Sequence, residues 1–416
     1  MGVAHDDIAI IGGGAAGLAT AIFARRLNPN RSIAVLEGAK KLGAKILVSG
    51  GGRCNVTNAV VTEHDFWGGR PTIVRSVLRA LTVADTVRFF EEIGVTLHEE
   101  HDGKLFPDSS KAREVLDALV REAERVGVSI LADHRVDGVL LEHGVFTLMT
   151  ARGSIAANQL VLATGGRSLP KSGSDGTGYH IARMFGHTIV ATTPALAPLV
   201  LEPDEFPREL SGVSHDAELT VWIEDRTSIR LHGSLLWTHF GISGPVVLNA
   251  SRHWARTKLE NQRVRLTLNF FPGSSFDAVD GRLVDLMASR PRASIVTLLS
   301  TVLPGAVASA LTSQLGIDQD ASASHLARAD RRRLVHGLVA WTLPIADTRG
   351  YNYAEATAGG VELTEIDPST MESRVCSGLY LVGEVLDVDG RIGGFNFQWA
   401  WSSAQVAARA LAKSNP

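Results

Sequence analysis

Three glycines near the start of the chain have the spacing of a phosphate-binding turn. Gly12, Gly14 and Gly17 follow an apolar run and open an alanine-rich segment. In such a set the first glycine permits a tight turn, the second lets a phosphate approach the backbone, and the third lets a helix pack on a strand. The N–H groups at the start of that helix, at Ala15 and Ala16, would then face the anion.

An acidic residue lies at a second informative position. Glu37 comes twenty residues after Gly17, at the end of a second apolar run. A carboxylate there accepts hydrogen bonds from a ribose hydroxyl pair and repels a ribose that carries a phosphate. Residues 7–37 therefore predict a strand, turn, helix and strand that bind a dinucleotide. They do not by themselves distinguish FAD from NAD.

A glycine-rich segment follows at residues 40–58. It contains three adjacent glycines, Gly50 to Gly52, and is predicted to be a loop that brings backbone N–H groups and small polar side chains against a second part of the ligand. The alternative is an ordinary polar surface loop, which has little need for three adjacent glycines. The predicted ligand-binding residues of this segment are Lys45, Ser49, Gly51, Gly52, Arg53, Asn55 and Asn58.

Seven ordered blocks carry a resemblance along nearly the whole chain. They are GAKILVSGGGRCNVTN (43–58), GKLFPDSSKAREVL (103–116), LATGGRSLPKSGSDGTGY (162–179), PALAPL (194–199), SLLWTHFGISGP (234–245), AGGVELTEIDPSTMESR (358–374) and the block from GLYLVGEV to QVAA (378–408). With these blocks the chain resembles the FAD-binding flavoproteins of the aminoacetone oxidase-like family, to which bile-acid-type steroid Δ4 reductases are also similar.

The resemblance implies an α/β fold of a particular plan. A Rossmann-type FAD-binding domain over 1–190 and 355–416 is interrupted by an antiparallel β-barrel-like domain over 191–273 and 337–354, which carries a helical insertion over 274–336. The sequence pattern of the middle segment is consistent with this plan. Apolar and polar residues alternate, as in antiparallel strands, over 217–225, 228–237 and 262–270. Apolar residues over 274–336 have helical spacing, with breaks at Pro291 and Pro304.

The remaining predicted FAD contacts come from the strands and the last helix. The strand over 160–166 ends in a glycine turn, the strand over 380–384 delivers Glu384 to the ribitol hydroxyls, and the helix over 395–411 directs its N-terminus at the flavin. In a strand over 129–141, Val136 has the position at which flavoproteins of this type contact adenine. The full set is Val136, Ala163, Thr164, Gly165, Gly166, Gly383, Glu384, Gly393, Gly394, Phe395 and Asn396.

The best candidates for chemistry on a substrate are in THFGISGP (238–245). Thr238 and His239 are the predicted catalytic residues, because an imidazole exchanges protons near neutral pH. The alternative is that His239 shapes the loop through hydrogen bonds to the backbone. Tyr351 and Tyr353 line either the substrate or the core. Cys54 is interpreted as a buried unreactive thiol rather than a covalent flavin anchor, so FAD is expected to be non-covalent.

Bulk properties exclude several classes of partner. The net charge is −3, from 41 basic and 44 acidic side chains, so no nucleic-acid or membrane partner is expected. No metal is expected, because the two cysteines lack ligand spacing and the DVDG turn at 387–390 lacks the other ligands of a calcium loop. A cytoplasmic location is expected, and the oligomeric state is left open.

The pattern as a whole predicts an oxidoreductase that transfers a hydride between flavin N5 and a small organic substrate. Two versions are open: oxidation of an amine with O2, and reduction of an enone with NAD(P)H as a visiting donor. Two other classes are alternatives. One is a flavin-binding protein with a structural or redox-sensing role and no turnover. The other is an NAD-dependent oxidoreductase without flavin, which the segment around Glu384 argues against.

Overall fold

The computed structural model describes residues 4–202 and 208–413 of the chain. Backbone contacts divide the chain into two compact units, the first formed by residues 1–193 with 354–416 and the second by residues 194–353. Across the described residues, no helix combines the length and the apolar character needed to cross a membrane.

Strands and helices are interspersed along the chain in both units. The strands are β1 (Ala4–Ile11), β2 (Ile33–Leu36), β3 (Thr57–Asn58), β4 (Phe66–Gly68), β5 (Leu97–Glu100), β6 (Lys104–Pro107), β7 (Ser129–Leu131), β8 (Val136–Glu142), β9 (Val145–Thr150), β10 (Gly153–Leu162), β11 (Ile189–Ala195), β12 (Leu199–Leu201), β13 (Ser214–Ile223), β14 (Arg226–Thr238), β15 (Gly241–Ser243), β16 (Val264–Asn269), β17 (Trp341–Leu343), β18 (Ile345–Thr348), β19 (Ala356–Val361), β20 (Leu379–Leu381) and β21 (Val388–Gly390).

The helices are α1 (Ala15–Leu27), α2 (Ala44–Gly52), α3 (Pro71–Leu78), α4 (Val83–Glu92), α5 (Ala112–Arg125), α6 (Thr177–Met184), α7 (Pro245–Leu259), α8 (Phe276–Ser289), α9 (Ile295–Leu299), α10 (Gly305–Gln314), α11 (Arg328–Ala340) and α12 (Phe395–Lys413).

The main sheet of the first unit has a parallel centre. Its order is β7-β2-β1-β10-β9-β8, and β20 pairs with the last part of β10. The pairs β1–β10, β1–β2, β2–β7 and β10–β20 are parallel, whereas β9 runs antiparallel to β10. The central strands read as continuous apolar runs because both faces of the sheet are covered, and Ile8 to Ile11 and Ile33 to Leu36 are buried. This is the predicted Rossmann-type arrangement.

Helix α1 packs closely on the sheet and on α12. The residues of α1 from Ala16 to Ile22 are buried, and several of them, such as Gly17 and Ala21, are small enough to allow this close approach. Helix α12 contributes large buried rings from Trp399 and Trp401, and its buried Gln398 accepts hydrogen bonds from Thr57 and Thr86. The packed pair of helices holds the start of α1 against the ends of the strands.

The second unit is built on an antiparallel sheet with the order β17-β16-β13-β14-β15-β12-β18. The two strands at the ends of this order, β17 and β18, are consecutive in the chain and are separated only by Pro344. A one-residue connection between opposite edges requires the sheet to curl until its edges approach. The antiparallel sheet predicted from the sequence is confirmed, and its curl agrees with the barrel-like form that the resemblance implies.

The helices of the insertion have the predicted breaks. Helix α8 ends at Ser289, two residues before Pro291, and α10 begins at Gly305, directly after Pro304. Proline lacks an N–H and restricts the residue before it, so helices end before it or begin just after it. These helices share one apolar core with the sheet of the second unit.

Two local predictions were wrong. The predicted strand over 129–141 is divided into β7 and β8, because Asp133 has a φ of 60° and the N–H groups of Asp133 and His134 bond to the carbonyls of Ala39 and Glu37. The segment 40–58 is not a plain loop, because it contains the helix α2, whose last turn is opened by left-handed glycines.

Candidate functional site

The parallel strands of the first unit end in one row. Ile11 pairs with both Leu36 and Leu162, Leu162 pairs with Leu381, and Leu36 pairs with Leu131. Every loop that leaves these residues therefore starts at the same edge of the sheet. Ligands of open parallel sheets bind outside this carboxyl edge.

The glycine turn between β1 and α1 lies at the centre of the edge. Gly12 has a φ of 111°, and a side chain there or at Gly17 would overlap backbone oxygen, that of Ala163 or of Gly12 respectively. Gly14 is different, because its backbone is extended and a Cβ on it would meet no atom within 4 Å. The three glycines thus have the separate roles of turn, open approach and close packing that their spacing predicts.

Glu37 directly follows β2 and faces the same turn. Its carboxylate accepts hydrogen bonds from the N–H of Gly13 at 2.9 Å and from the N–H of Ala39 at 2.8 Å. These two bonds use one lone pair on each oxygen and leave further acceptor capacity for a hydroxyl. The protein backbone therefore orients this side chain.

A second polar group gathers the ends of β10 and β20 with α2. Glu384 lies three residues beyond β20 in a short 3-10 helix, where it forms an ion pair with Lys45. The Ser168 hydroxyl donates to Glu384 at 2.9 Å and accepts from Lys45 at 2.7 Å, while the N–H of Thr357 donates to Glu384 at 2.9 Å. Sequence analysis named Lys45 and Glu384 but missed Ser168 and Thr357.

The loop after β10 is fixed by the same threonine. The Thr357 hydroxyl accepts from the N–H groups of Arg167 at 2.8 Å and Ser168 at 3.0 Å. Its closeness also explains Gly166, where a Cβ would lie 2.5 Å from the Thr357 hydroxyl oxygen. Of the residues before it, Ala163 is buried, Gly165 has a φ of 71°, and the Thr164 side chain lies against Gly178.

The three adjacent glycines end α2 in a left-handed path. Gly50, Gly51 and Gly52 have φ angles of 55°, 69° and 85°, a region that favours glycine. A Cβ on Gly51 would meet no atom within 4 Å, so this backbone is open on one side. Just before them, the Ser49 hydroxyl donates to the carbonyl of Ile46 at 2.7 Å.

Next to this path, burial raises the pKa of the Cys54 thiol to about 12. The thiol is therefore protonated and unreactive near neutral pH, because the thiolate is the nucleophile. Arg53 lies over the Phe106 ring and forms an ion pair with Glu100, whose pKa is lowered chiefly by the hydrogen bond from that guanidinium.

Two asparagines connect this region to the segment before α12. The Asn55 amide oxygen accepts from the N–H of Gly394 at 3.1 Å, and the Asn58 amide donates to the carbonyl of Gly393 at 3.1 Å. Both glycines have positive φ angles, 122° at Gly393 and 93° at Gly394. The predicted residues of 40–58 and of 393–396 thus meet in the structure, and the asparagines hold the backbone that leads into α12.

The other predicted residues lie at the ends of secondary structure. Asn396 forms a pair of hydrogen bonds with the backbone of Gly390, and Phe395 is buried against Phe66. Gly383 begins the short helix of Glu384 with a φ of 73°. Val136 is buried at the start of β8.

The predicted catalytic pair belongs to the second unit. Thr238 ends β14 and pairs with Gly241, so His239 and Phe240 form a two-residue hairpin turn. His239 is exposed, with its ring edge-to-face on Phe240 at 5.1 Å. The Thr238 hydroxyl oxygen is buried and has no hydrogen-bond partner among residues 4–202 and 208–413.

The residues of the first unit fit FAD in their chemistry. Gly14 offers open backbone at the N-terminus of α1, where no side chain caps the first turn. Helix N-termini of this kind bind phosphates. Glu37 supplies oriented acceptors, and the cluster of Lys45, Ser168 and Glu384 supplies donors and acceptors along the same edge.

The chain is similar to known proteins along nearly its whole length. Residues 6–410 match the family described as the HI0933-like protein Rossmann domain. The chain is 34% identical over 406 residues to a 3-dehydro-bile acid delta(4,6)-reductase of Clostridium scindens, covering 98% of this chain and 99% of that protein. It is 36% identical over 414 residues to a ribosomal RNA dihydrouridine synthase of Haemophilus influenzae, again covering 98% and 99%.

A solved quinol-fumarate reductase with menaquinol molecules shows the same fold. Its TM-score is 0.53 at 15% identity, covering 99% of this chain and 72% of that one. The glycine turn, the acidic residue after β2 and the full-length family match lead to one assignment. The chain belongs to the HI0933-like Rossmann family of FAD-binding oxidoreductases.

Proposed function

We propose that this protein reduces a carbon–carbon double bond that is conjugated with a carbonyl group. The observation that carries the proposal is similarity, at 34% and 36% identity over 98% of this chain, to two proteins whose names describe this chemistry. A 3-dehydro, delta-4 steroid contains a ring double bond next to a ketone. Formation of dihydrouridine removes the ring double bond next to a uracil carbonyl.

The first unit is suited to hold the cofactor of such a reaction. The open backbone at Gly14 and the α1 N-terminus would bind the pyrophosphate, and Glu37 would bind the ribose. Lys45 and Ser168, held by Glu384, would present N–H and O–H groups at the same edge. FAD, when bound and reduced by the electron donor, would supply the hydride.

Reduction of a conjugated double bond also needs a proton at the carbon next to the carbonyl. Thr238 and His239 are the proposed groups, because both are polar residues at one hairpin turn. The unpartnered hydroxyl of Thr238 supports this reading, since a buried hydroxyl without a partner costs free energy and is retained where it binds something. His239 is accessible to exchange protons with solvent.

NADH and NADPH are the proposed electron donors, and a direct test compares substrates. The purified yellow protein is reduced anaerobically with each nicotinamide, and the flavin absorbance near 450 nm is followed. A 3-oxo-Δ4,6 steroid acid and a uridine-containing RNA fragment are then added separately. Reoxidation of the flavin with a product two hydrogens heavier by mass spectrometry is the expected result.

The RNA arm also tests the expectation that no nucleic acid is a partner. Turnover of the steroid alone supports that expectation, and turnover of RNA overturns it while supporting the reductase. Bleaching by a small amine, with peroxide after admission of air and no reduced product, contradicts the proposal in favour of an oxidase. Absence of turnover with every substrate contradicts it in favour of a flavoprotein without catalysis.

A further inference from the structure

In the second unit, Arg349 is a half-buried cation that lies on two aromatic rings. Its guanidinium carbon is 4.1 Å from the centroid of the Phe240 ring and 3.5 Å from that of the Tyr353 ring. Both distances are well within the range of a cation–π contact, about 6 Å. The two rings lie against the faces of the guanidinium plane, so the N–H groups at its edge can still bind other groups.

The backbone holds this arrangement in place. The N–H of Arg349 donates to the carbonyl of Pro198 at 2.9 Å, just before β12. Phe240 is fixed from the same strand, because the next residue, Gly241, pairs with Val200 and is too close to Leu199 to carry a side chain. The cation and the first ring are therefore attached to one rigid element.

The second ring is placed by a turn. Gly350 has a φ of 71°, and the N–H of Tyr353 donates to its carbonyl at 3.1 Å. The turn brings the Tyr353 ring back to Arg349. The ring remains 51% exposed, so a solute can reach this part of the surface.

The guanidinium N–H groups of Arg349 are not used by other residues of the described chain. Within the described ranges 4–202 and 208–413, no carboxylate pairs with it and no acceptor binds its guanidinium N–H groups. The acid nearest in sequence, Asp347, instead accepts from the N–H of Thr348 at 2.6 Å. A planar cation with fixed orientation and free N–H groups is preorganised for bidentate binding of a carboxylate or a phosphate.

The geometry points to Arg349 as the residue that binds an anionic group of the substrate. This inference rests on the proposed function, because it adds a recognition element to the substrate of that reaction. The hairpin turn that carries Phe240 also carries Thr238 and His239, so the anion site and the proposed proton donors share one element. The anion has two sources, the carboxylate of a steroid acid or the phosphate of a nucleotide.

Equilibrium binding separates this inference from the reductase proposal. Isothermal titration of the FAD-loaded protein compares a 3-oxo-Δ4 steroid carboxylic acid with its methyl ester, and uridine 5′-monophosphate with uridine. Each ligand is titrated into wild type, Arg349→Met and Arg349→Lys. The control is Arg265→Met, because Arg265 is an exposed cation of the same unit that also lies over an aromatic ring, that of Trp222 at 4.9 Å.

We expect Arg349→Met to raise the dissociation constant of one anionic ligand by about 10- to 100-fold, as loss of a charged hydrogen-bonded pair does. Arg349→Lys should be intermediate, since an ammonium keeps the charge without the planar fork. The neutral partner of that ligand and the Arg265→Met variant should show no change. Preference for the steroid acid or for the nucleotide identifies the source of the anion.

Three results would overturn the inference. They are equal binding of each acid and its neutral partner to wild type, unchanged binding in Arg349→Met, and failure of both anionic ligands to bind wild type. Circular dichroism of the variants checks that they fold. Because the readout is binding, an absence of turnover contradicts the reductase proposal without affecting this test.

Discussion

The carboxylate of Glu37 accepts a hydrogen bond from the N–H of Gly13 at 2.9 Å, across the gap between the end of β2 and the glycine turn. The same carboxylate also accepts from the N–H of Ala39. One side chain therefore shapes two neighbouring loops at the carboxyl edge. Its proposed role as a ribose ligand depends on an orientation that the protein itself supplies.

Substitution of Glu37 by Gln should weaken both the fold and the cofactor site. A neutral amide has one acceptor oxygen, so it leaves Gly13 or Ala39 without its partner at a cost of about 1–3 kcal/mol. We expect a fall of that size in the free energy of unfolding by urea and a lower FAD content after dialysis. The control Glu142→Gln, at an exposed strand end, should change neither. Full FAD retention in Glu37→Gln would contradict the ribose role.

Gly14 and Gly17 allow the effect on cofactor binding to be separated from the effect on folding. A methyl group on Gly14 meets no protein atom within 4 Å, so Gly14→Ala should leave the stability of the FAD-free protein within about 0.5 kcal/mol of wild type. It should still reduce FAD affinity at least tenfold, measured by fluorescence titration. Gly17→Ala should destabilise the FAD-free protein, because its methyl overlaps the Gly12 carbonyl. Wild-type affinity in Gly14→Ala would show that nothing approaches that backbone.

Local periodicity predicted much of the first unit. The segment from β1 to β2, including the glycine turn and Glu37, follows from apolar runs and glycine spacing within residues 4–37, and α12 follows from its helical pattern. Alternation in β13, β14 and β16 predicts their antiparallel sheet, whereas its barrel-like form was implied only by the family resemblance.

Tertiary contacts decided the rest. Nothing local in 129–141 shows that Asp133 and His134 turn away to bond with the loop around Glu37. Ser168 and Thr357 are 189 residues apart, and their contact with Glu384 depends on the fold that brings them together. No sequence motif marks Arg349, because its contacts are with two aromatic rings, Phe240 and Tyr353, that different turns place beside it.

Substitution of Thr238 tests whether its buried hydroxyl lowers stability and is needed for the reaction. Thr238→Val keeps the shape and removes a buried hydroxyl that lacks a partner, so we expect the protein to gain about 1 kcal/mol of stability in urea. The reductase rate should fall at least tenfold if the hydroxyl acts on the substrate. Thr227→Val, exposed on the same strand, serves as the control for the substitution itself. A Thr238→Val variant that loses stability and keeps its rate would assign Thr238 a structural role.

His253 in α7 should make the second unit sensitive to acid. Burial, aided by the charge of Arg252, lowers the pKa of His253 to about 3. In the unfolded chain a histidine has a pKa of about 6.5, so below that pH the unfolded state binds a proton that the folded state refuses. The free energy of unfolding is therefore unaffected by His253 well above pH 6.5. It falls as the pH drops towards 3, by on the order of 2 kcal/mol between pH 6.5 and 5. Urea unfolding followed at several pH values should show a shallower acid loss in His253→Gln than in wild type, whereas His325→Gln, at an exposed site, should follow wild type. The same slope in His253→Gln and wild type would assign the acid loss to other groups.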